Sequence, residues 1–267
     1  MAGIYIHIPF CKQACAYCDF HFSTLLKDKG ELINAICQEI ELRKDYLETK
    51  NIDTIYFGGG TPSLLDKKEL EQIFHTLKKH YKWSANTEIT LECNPDDLHK
   101  EKLNELKDLG VNRLSIGLQS FDDAELKWMN RAHNAGESEA SVKLAQELGF
   151  DNITIDLIYG SKFTTLESWE KTLQKAIALN VPHISSYNLT IENKTQLGHA
   201  FNKGSEPAVD DEKSAKQFEK MVELLEANGY EHYEISNFAK PGFISQHNSN
   251  YWRGDVYKRQ ARKFIPP

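Results

Sequence analysis

Three cysteines lie within eight residues near the start of the chain, in the stretch PFCKQACAYCDF at residues 9–20. Cys11, Cys15 and Cys18 have the spacing CxxxCxxC, and cysteine thiolates are soft ligands for zinc or for iron–sulfur clusters. A structural zinc ion normally takes four protein ligands, whereas an iron–sulfur cube with four irons can leave one iron open to a substrate. Three clustered cysteines therefore favour a [4Fe-4S] cluster.

Two other uses of these thiols stay open from the residues alone. A zinc site would need a fourth protein ligand, for which His7, His21 or the distant Cys93 could serve. A CxxC redox pair would use only the second and third cysteine and leave the first one over. The chain has five cysteines, an odd number that makes a poor disulfide framework and fits a reducing compartment.

The composition indicates a globular protein without a strong general affinity for membranes or nucleic acid. At 267 residues, with 40% hydrophobic residues, the chain can form one large domain or two small ones. No apolar run approaches the roughly 18 to 20 residues of a membrane span, and no basic-then-apolar leader starts at Met1. The formal net charge of −7 argues against sequence-independent binding of nucleic acid. We therefore expect a cytoplasmic protein that does not span a membrane.

Short stretches rich in isoleucine, tyrosine and leucine recur along the chain, each followed by a polar, helix-forming stretch. The polar stretches carry apolar residues at three- and four-residue spacing, which predicts amphipathic helices. Asp66 suits a helix start, and Gly110 and Gly149 suit helix ends. The six candidate strands are residues 3–9, 53–59, 88–95, 113–120, 152–160 and 183–190.

This alternation predicts an α/β fold with a parallel sheet covered by helices, either as a barrel or partial barrel or as an open doubly wound sheet. We expect its strands to be buried on both faces and near-continuously apolar. Both architectures gather ligand-binding groups at the carboxyl ends of the strands. The unusual residues fall there: the cysteines follow the first strand, GGGTP the second, ECNP ends the third, QSFD follows the fourth, and Asp156 lies in the fifth.

The combination of CKQACAYC after a strand with GGGTP one unit later resembles the radical S-adenosylmethionine superfamily. The resemblance implies a partial (β/α)6 barrel, a [4Fe-4S] cluster held by Cys11, Cys15 and Cys18, and S-adenosylmethionine that is cleaved reductively to a 5′-deoxyadenosyl radical. YIHIPFC, FGGGTP, ECNPDD, RLSIGLQSFDD, MNRAH and IDLIYG further resemble the branch that contains oxygen-independent coproporphyrinogen III oxidases and related heme chaperones. This resemblance covers residue 3 to about residue 252.

The resemblance assigns residues after the first two strands to the cluster and to the methionine end of S-adenosylmethionine. Tyr5 would lie near the cluster. The backbone of Gly59, Gly60 and Thr61 would approach the ligand, where glycine lets the chain come close.

The same resemblance assigns four side chains from later strands to this ligand. Glu92 would accept from the ammonium group, Arg131 would pair with the carboxylate, and Gln119 and Asp156 would bind the ribose hydroxyls. Each also has a simpler interpretation. Glu92 and Arg131 would suit an ion pair, Gln119 would suit a turn cap, and Asp156 would suit an acceptor for backbone amides.

Two features separate the oxidases from the heme chaperones in this branch. The oxidases resemble CxxxCxxCxC, and here the position of the fourth cysteine holds Phe20. The stretch HNSNYW at residues 247–252 resembles the HNxxYW motif of the chaperones. This resemblance implies that His247 is an axial ligand of heme iron and that Tyr251 and Trp252 pack on the macrocycle.

The sequence therefore predicts a heme chaperone that binds a [4Fe-4S] cluster, S-adenosylmethionine and heme. It would deliver the heme to an acceptor protein, and membrane-associated proteins are among the candidate acceptors. The alternative is oxidative decarboxylation of coproporphyrinogen III, so that a catalytic activity stays open and no catalytic residue is assigned. A tRNA-modifying radical enzyme and a zinc-stabilised binding protein are weaker alternatives. The acidic charge counts against the first.

The chain divides by pattern into three parts. Residues 1–200 form the predicted barrel, and residues 201–254 form the start of an accessory region with a helix and the HNxxYW motif. Residues 255–267 are basic and atypical. We interpret the chain as an incomplete copy in which the authentic sequence ends near Gly254 and the rest is foreign.

Overall fold

The structure, a computed structural model, describes residues 2–253. Within them, six parallel strands follow one another in an eight-stranded sheet, and each pairs with the next along the chain. All six lie where the sequence predicts them, with ends that differ by at most two residues. They are β1 (Gly3–Ile8), β2 (Thr54–Gly59), β3 (Glu88–Cys93), β4 (Arg113–Gln119), β5 (Ile153–Tyr159) and β6 (His183–Asn188).

Two short strands that the sequence analysis did not predict extend this sheet beyond β6. They are β7 (Glu231–Glu234) and β8 (Asn237–Ala239), and the spatial order is β6-β8-β7 with antiparallel pairing. β7 has the sequence EHYE and lacks the apolar run that identified the other strands. Residues 201–253, predicted as part of an accessory region, thus share a sheet with the barrel strands, and this described sheet is open, with β1 and β7 at its edges. The predicted tail at 255–267 lies outside the described residues.

Helices alternate with the strands, and their ends follow from local hydrogen bonds. Asp66 and Glu69 form a reciprocal cap, in which each side chain accepts from the other residue's amide, at 2.9 and 2.8 Å. No helix among residues 2–253 is long and apolar enough to cross a membrane. The helices are α1 (Lys29–Leu42), α2 (Lys67–His80), α3 (Lys100–Asp108), α4 (Asp123–Trp128), α5 (Ala135–Glu147), α6 (Leu166–Ala178), α7 (Gln196–Asn202), α8 (Asp211–Ala227) and α9 (Gln246–Arg253).

The two faces of the parallel strands differ in polarity. The strands are largely buried on both faces, as expected, but the expectation that they are apolar on both faces is wrong. Every second residue packs against the helices and is apolar, such as Ile55 and Phe57 in β2. The alternate positions are polar and face the inside of the curved sheet. They include Thr54, Tyr56, Glu88, Thr90, Glu92, Arg113, Ser115, Thr154, Asp156, His183 and Ser185.

Candidate functional site

The cysteine loop, residues 11–18, lies at the carboxyl ends of the strands and is held there by other parts of the chain. The Cys11 amide donates to the Ser23 carbonyl at 3.0 Å. The turn after α4 holds the middle of the loop, because the Met129 carbonyl accepts from the Ala16 amide at 2.9 Å. The three thiols of this loop are half-buried and unbridged. The backbone around them is thus fixed without a disulfide.

Two donors face the thiols of this loop. Thr61 Oγ1 donates to Cys11 Sγ at 3.4 Å, and Arg131 Nη1 donates to Cys15 Sγ at 3.5 Å. Burial raises the pKa of Cys11, and it raises the pKa of Cys18 to about 11. The thiols of Cys11 and Cys18 are therefore protonated near neutral pH, and binding of iron would displace their protons. Three soft sulfurs with donors that stabilise thiolate charge suit an iron–sulfur cluster.

The glycine-rich stretch after β2 lies against the start of the cysteine loop. Gly59 has a φ of 113°, and a Cβ there would clash with the ring of His7. At Gly60, a Cβ would come within 2.8 Å of the Phe10 carbonyl oxygen. Only glycine allows the backbone at the end of β2 to pack this closely against the end of β1. The amide of Thr61 then donates to the Phe10 carbonyl at 2.7 Å. The predicted backbone contacts at 59–61 are thus next to the cysteines.

Glu92 points into this carboxyl end with an orientation that two neighbours fix. Tyr56 OH donates to Glu92 Oε1 at 2.8 Å, and the Gly59 amide donates to Oε2 at 2.9 Å. A carboxylate is an acceptor only, and each of its oxygens has two lone-pair sites. The carboxylate is therefore held at the carboxyl ends of the strands, beside the glycine-rich stretch.

Arg131 lies beside the cysteines with part of its guanidinium committed to the chain. Nη2 donates to Asn94 Oδ1 at 2.8 Å and to the Gly117 carbonyl at 2.7 Å. Its buried Nε has no hydrogen-bond partner among residues 2–253. A buried donor without a partner is costly, so a carboxylate ligand that accepts from it would be favoured. This donor is the observation that best fits the side chains to S-adenosylmethionine.

The two predicted ribose contacts lie on adjacent strands of the same end. Gln119 has a φ of 66° at an irregular register between β4 and β5, a conformation that re-aims a side chain. Its amide nitrogen turns back over Gly117. Burial raises the pKa of Asp156 to about 6, against the lowering effect of hydrogen bonds from Ser185 and Ser115. We call the cysteine loop, residues 59–61, Glu92, Gln119, Arg131 and Asp156 together the rim.

The predicted heme ligand lies at the other end of the strands. His247 is in the first turn of α9, is 2% exposed, and hydrogen-bonds through Nδ1 to Oγ1 of Thr54, the first residue of β2, at 2.8 Å. Its ring stacks on Tyr56 at 4.9 Å and meets the edge of Tyr251 at 5.4 Å between ring centroids. A porphyrin has no access to this ring in the described conformation. We call the amino ends of β2 and β3 with the first turn of α9 the floor.

The remaining predicted residues divide between these two regions. Tyr5 stacks on Tyr56 at 5.8 Å and on His247 at 6.3 Å, below the cysteine loop rather than in it. Tyr251 is half-buried beside His247, whereas Trp252 is 66% exposed. Phe20 follows the cysteine loop and is 70% exposed. The sequence-predicted cluster and S-adenosylmethionine residues thus meet at the rim, and the heme motif does not join them.

Sequence reasoning missed the residues that hold the predicted ligands in place. Tyr56 was read only as part of a strand, although the two-residue period puts it on the same face as Gly58. Asn130, inside the MNRAH motif, has a φ of 55° and donates to the Ala14 carbonyl of the cysteine loop at 2.6 Å. Glu88 binds the first turn of α9. Only the period-two alternation signalled Tyr56 and Glu88, and no signal identified the role of Asn130.

Comparison with known proteins gives one family and a consistent set of relatives. The model of the radical SAM superfamily matches residues 5–176. The chain is 38% identical over 259 residues to the heme chaperone HemW of Bacillus subtilis, covering 96% of this chain and 68% of that protein. It is 39% identical over 262 residues to HemW of Escherichia coli, covering 96% and 67%. The chain thus spans about two thirds of the length of these relatives.

Solved structures carry the same fold. Coproporphyrinogen III oxidase (HemN) from Escherichia coli superposes with a TM-score of 0.81 at 26% identity, over 95% of this chain and 58% of that one. The archaeal Elp3 from Methanocaldococcus infernus superposes with a TM-score of 0.60 at 15% identity, over 82% of this chain and 53% of that one, and so shares the fold alone. The predicted α/β partial barrel is thereby confirmed.

Proposed function

The chain belongs to the radical S-adenosylmethionine superfamily, in the family of the heme chaperone HemW, and we propose that it binds heme and delivers it to an acceptor protein. The observation that carries this proposal is the similarity to HemW proteins along 96% of the chain. Phe20 supports it, because the oxidases of this branch resemble a pattern with a cysteine there. The three free thiols also suit the reducing cytoplasm, where we propose that the protein works.

The family implies a [4Fe-4S] cluster and S-adenosylmethionine, and the residue types at the rim suit both, although the described side chains of residues 2–253 form no ready arrangement of three metal ligands. Cys11, Cys15 and Cys18 would hold three irons, with Thr61 and Arg131 donating to the coordinated sulfurs. When bound there, the cluster supplies the electron for reductive cleavage of S-adenosylmethionine. This role of the three cysteines is supported by their spacing, by their half-buried position and by the donors that face them.

The side chains around the cysteines would orient S-adenosylmethionine. Arg131 would donate from Nε to its carboxylate, and Glu92 would accept from its ammonium. Gln119 and Asp156 would accept from the ribose hydroxyls, as the predicted contacts require. Burial of these groups strengthens each charged contact relative to water. In this proposal, the rim binds the zwitterionic amino-acid end of the ligand and its ribose through different side chains.

Heme ligation by His247 requires α9 to move away from the floor. The imidazole is packed against tyrosine rings and bonded to Thr54, so an iron atom reaches it only after those contacts break. Trp252, on the exposed side of α9, is accessible to a macrocycle without such a movement. We propose that α9 carries the heme contacts of His247, Tyr251 and Trp252 in a displaced position.

A hemin titration tests the proposed function. The protein is purified anaerobically, reconstituted with iron and sulfide, and titrated with hemin while absorption spectra are recorded. A saturable heme band with a stoichiometry near one supports the chaperone function, and transfer of that heme to an apo-hemoprotein tests delivery. A cluster spectrum without a saturable heme band contradicts it.

Decarboxylation of coproporphyrinogen III is a second candidate function. The fold similarity to coproporphyrinogen III oxidase, at 26% identity, favours it. Phe20 weighs against it, since the oxidases resemble CxxxCxxCxC at this position. An anaerobic assay with coproporphyrinogen III and S-adenosylmethionine separates the two, because formation of the divinyl product would establish the enzyme.

A further inference from the structure

We infer that His247 is a positioning residue for the S-adenosylmethionine site, because its ring fixes Tyr56 and Tyr56 fixes the carboxylate of Glu92. The inference rests on the proposed binding of S-adenosylmethionine at the rim and is independent of heme binding. It gives the histidine of the HNSNYW motif a role in the conformation that the structure describes. Three links between α9 and the rim carry it.

The first link fixes α9 on the floor. Glu88, the first residue of β3, accepts from the amides of Gln246 and His247 at 2.9 and 3.0 Å. The hydroxyl of Ser245 lies 3.4 Å from the same carboxylate. A carboxylate at a helix N-terminus satisfies free amides and complements the helix dipole. The position of His247 along β2 and β3 is therefore set by its own backbone.

The second link is the packing of the imidazole. Nδ1 bonds to Thr54 Oγ1 at 2.8 Å, which sets the rotation of the ring. The ring then stacks on Tyr56 at 4.9 Å with 25° between the planes, and Tyr5 stacks on both rings at 5.8 and 6.3 Å. Since His247 is buried, the imidazole and the ring of Tyr56 cannot shift independently of each other.

The third link joins Tyr56 to the rim. Its hydroxyl donates to Glu92 Oε1 at 2.8 Å, and burial, followed by the charge of Glu92, raises its pKa well above the usual range. The hydroxyl therefore stays a donor at any working pH. The Gly59 amide donates to the other carboxylate oxygen at 2.9 Å, so the Tyr56 hydroxyl and this amide hold the Glu92 carboxylate from two sides. A movement of the Tyr56 ring thus moves the predicted acceptor of the ligand's ammonium.

Removal of the imidazole should change the orientation of Glu92, and with it the affinity for S-adenosylmethionine, through these three links. His247→Ala leaves a cavity next to Tyr56, into which the phenol ring can tilt. The hydroxyl then leaves Glu92, and a hydrogen bond to a charged group is lost. We expect the dissociation constant for S-adenosylmethionine to rise on the order of tenfold, which corresponds to the loss of one such bond.

Two further variants separate this role from heme ligation and from general destabilisation. His247→Phe keeps a ring against Tyr56 but has no nitrogen for iron, so it should restore most of the S-adenosylmethionine affinity. Tyr56→Phe removes only the hydroxyl and should weaken binding about as much as His247→Ala. The double variant should then be no weaker than either single one, because both act on one contact. His232→Ala is the matched control, since His232 stacks on Phe238 at 4.3 Å, away from Glu92.

The experiment is equilibrium binding of S-adenosylmethionine to the reconstituted full chain, with iron content, melting temperature and hemin titration measured on the same samples. Weak binding by His247→Ala, rescue by His247→Phe and non-additivity with Tyr56→Phe support the inference. Wild-type affinity in His247→Ala at equal iron content overturns it, as does a wild type that does not bind the ligand. Loss of heme from both His247 variants with unchanged S-adenosylmethionine affinity leaves the proposed function standing without the inference. A wild type that binds S-adenosylmethionine but no heme contradicts the proposed function and leaves the inference about His247 open to the same variants.

Discussion

The rim and the floor lie at opposite ends of the parallel strands and are built in different ways. At the rim, β2 and β4 end in residues with positive φ, Gly59 and Gln119, the thiols are half-buried, and Arg131 Nε is a buried donor. At the floor, the first residues of β2 and β3 hold α9 in place, and His247 is buried. The rim gathers thiols and charged side chains at the strand ends, whereas the floor is organised by packing.

The difference teaches that a motif's depth in the fold matters as much as its residue types. The cysteine motif and HNSNYW each contain residues suited to bind a metal. In the described conformation, only the cysteines lie at the carboxyl ends of the parallel strands, where this kind of fold gathers its ligand-binding groups. His247 follows the antiparallel strands β7 and β8, after which the chain reaches the amino ends of the parallel strands. We therefore expect variants at the rim to change cluster content and ligand affinity, and variants at the floor to change stability.

Loss of a rim cysteine should have the largest effect. Cys15→Ala removes one of the three proposed iron ligands, and we expect reconstituted iron and acid-labile sulfide to fall to background, with the same result for Cys11 and Cys18. Cys37→Ala is the matched control, because Cys37 lies on α1 outside the loop. Full iron content in any of the three loop variants would remove that cysteine from the ligand set.

Neutralising Arg131 should have the next largest effect and should affect binding more than folding. Arg131→Met keeps much of the length of the side chain but removes the donors to Cys15, to Asn94, to the Gly117 carbonyl and to the ligand carboxylate. We expect S-adenosylmethionine to bind about 30- to 100-fold more weakly, as for a buried charged pair that loses one partner. Binding isotherms measure this against Arg43→Met, which removes a surface pair with Glu39 and a cation–π contact with Tyr46. Equal affinities would place the ligand's carboxylate elsewhere.

Sequence reasoning located the parallel strands and the rim because both depend on local patterns. Six apolar runs identified β1 to β6 within two residues, and the reciprocal cap at Asp66 confirms the predicted helix start. Motifs at strand ends meet because parallel strands end on one side. The cysteine loop and residues 59–61 therefore came together as predicted.

The floor could not be predicted in the same way. β7 and β8 are short and largely polar, and their pairing with β6 depends on contacts far along the chain. The burial of His247 follows from Glu88, which is 159 residues away. No local pattern carries such a contact. Polar residues on the inner face also look like surface positions in a sequence.

Weakening the floor should lower stability more than it lowers cluster content. In Glu88→Gln, an amide NH2 group replaces one carboxylate oxygen. Both oxygens accept from backbone amides at the start of α9, so the new donor faces another donor. We expect the free energy of unfolding to fall by about 2 kcal/mol and the melting temperature by about 4 to 8 °C. Thermal unfolding measures this against Glu167→Gln, which removes only an exposed pair with Lys171. An unchanged melting temperature would show that α9 does not depend on Glu88.

The smallest expected effect is a pH dependence at Asp156, and it should have opposite signs in binding and in stability. Burial raises the pKa of this carboxyl to about 6. Ribose hydroxyls donate better to the ionised form, so the affinity for S-adenosylmethionine should fall a few-fold as the pH drops from 7 to 5. Asp156→Asn, with no titrating group, should give a flatter profile at lower affinity.

Stability should respond in the other direction because the folded protein binds this proton more tightly than the unfolded chain. The contribution is fully present below the unfolded pKa, near 4, and is lost as the pH rises through about 6. Urea unfolding of the wild type and of Asp156→Asn between pH 4 and 7 isolates it as the difference between two profiles. We expect the free energy of unfolding of the wild type, relative to that of Asp156→Asn, to increase as the pH falls, while ligand binding weakens. This result would show that ionisation of Asp156 destabilises the fold and strengthens ligand binding. Parallel profiles would mean that Asp156 is already ionised throughout this range and that its burial is too shallow to shift the pKa.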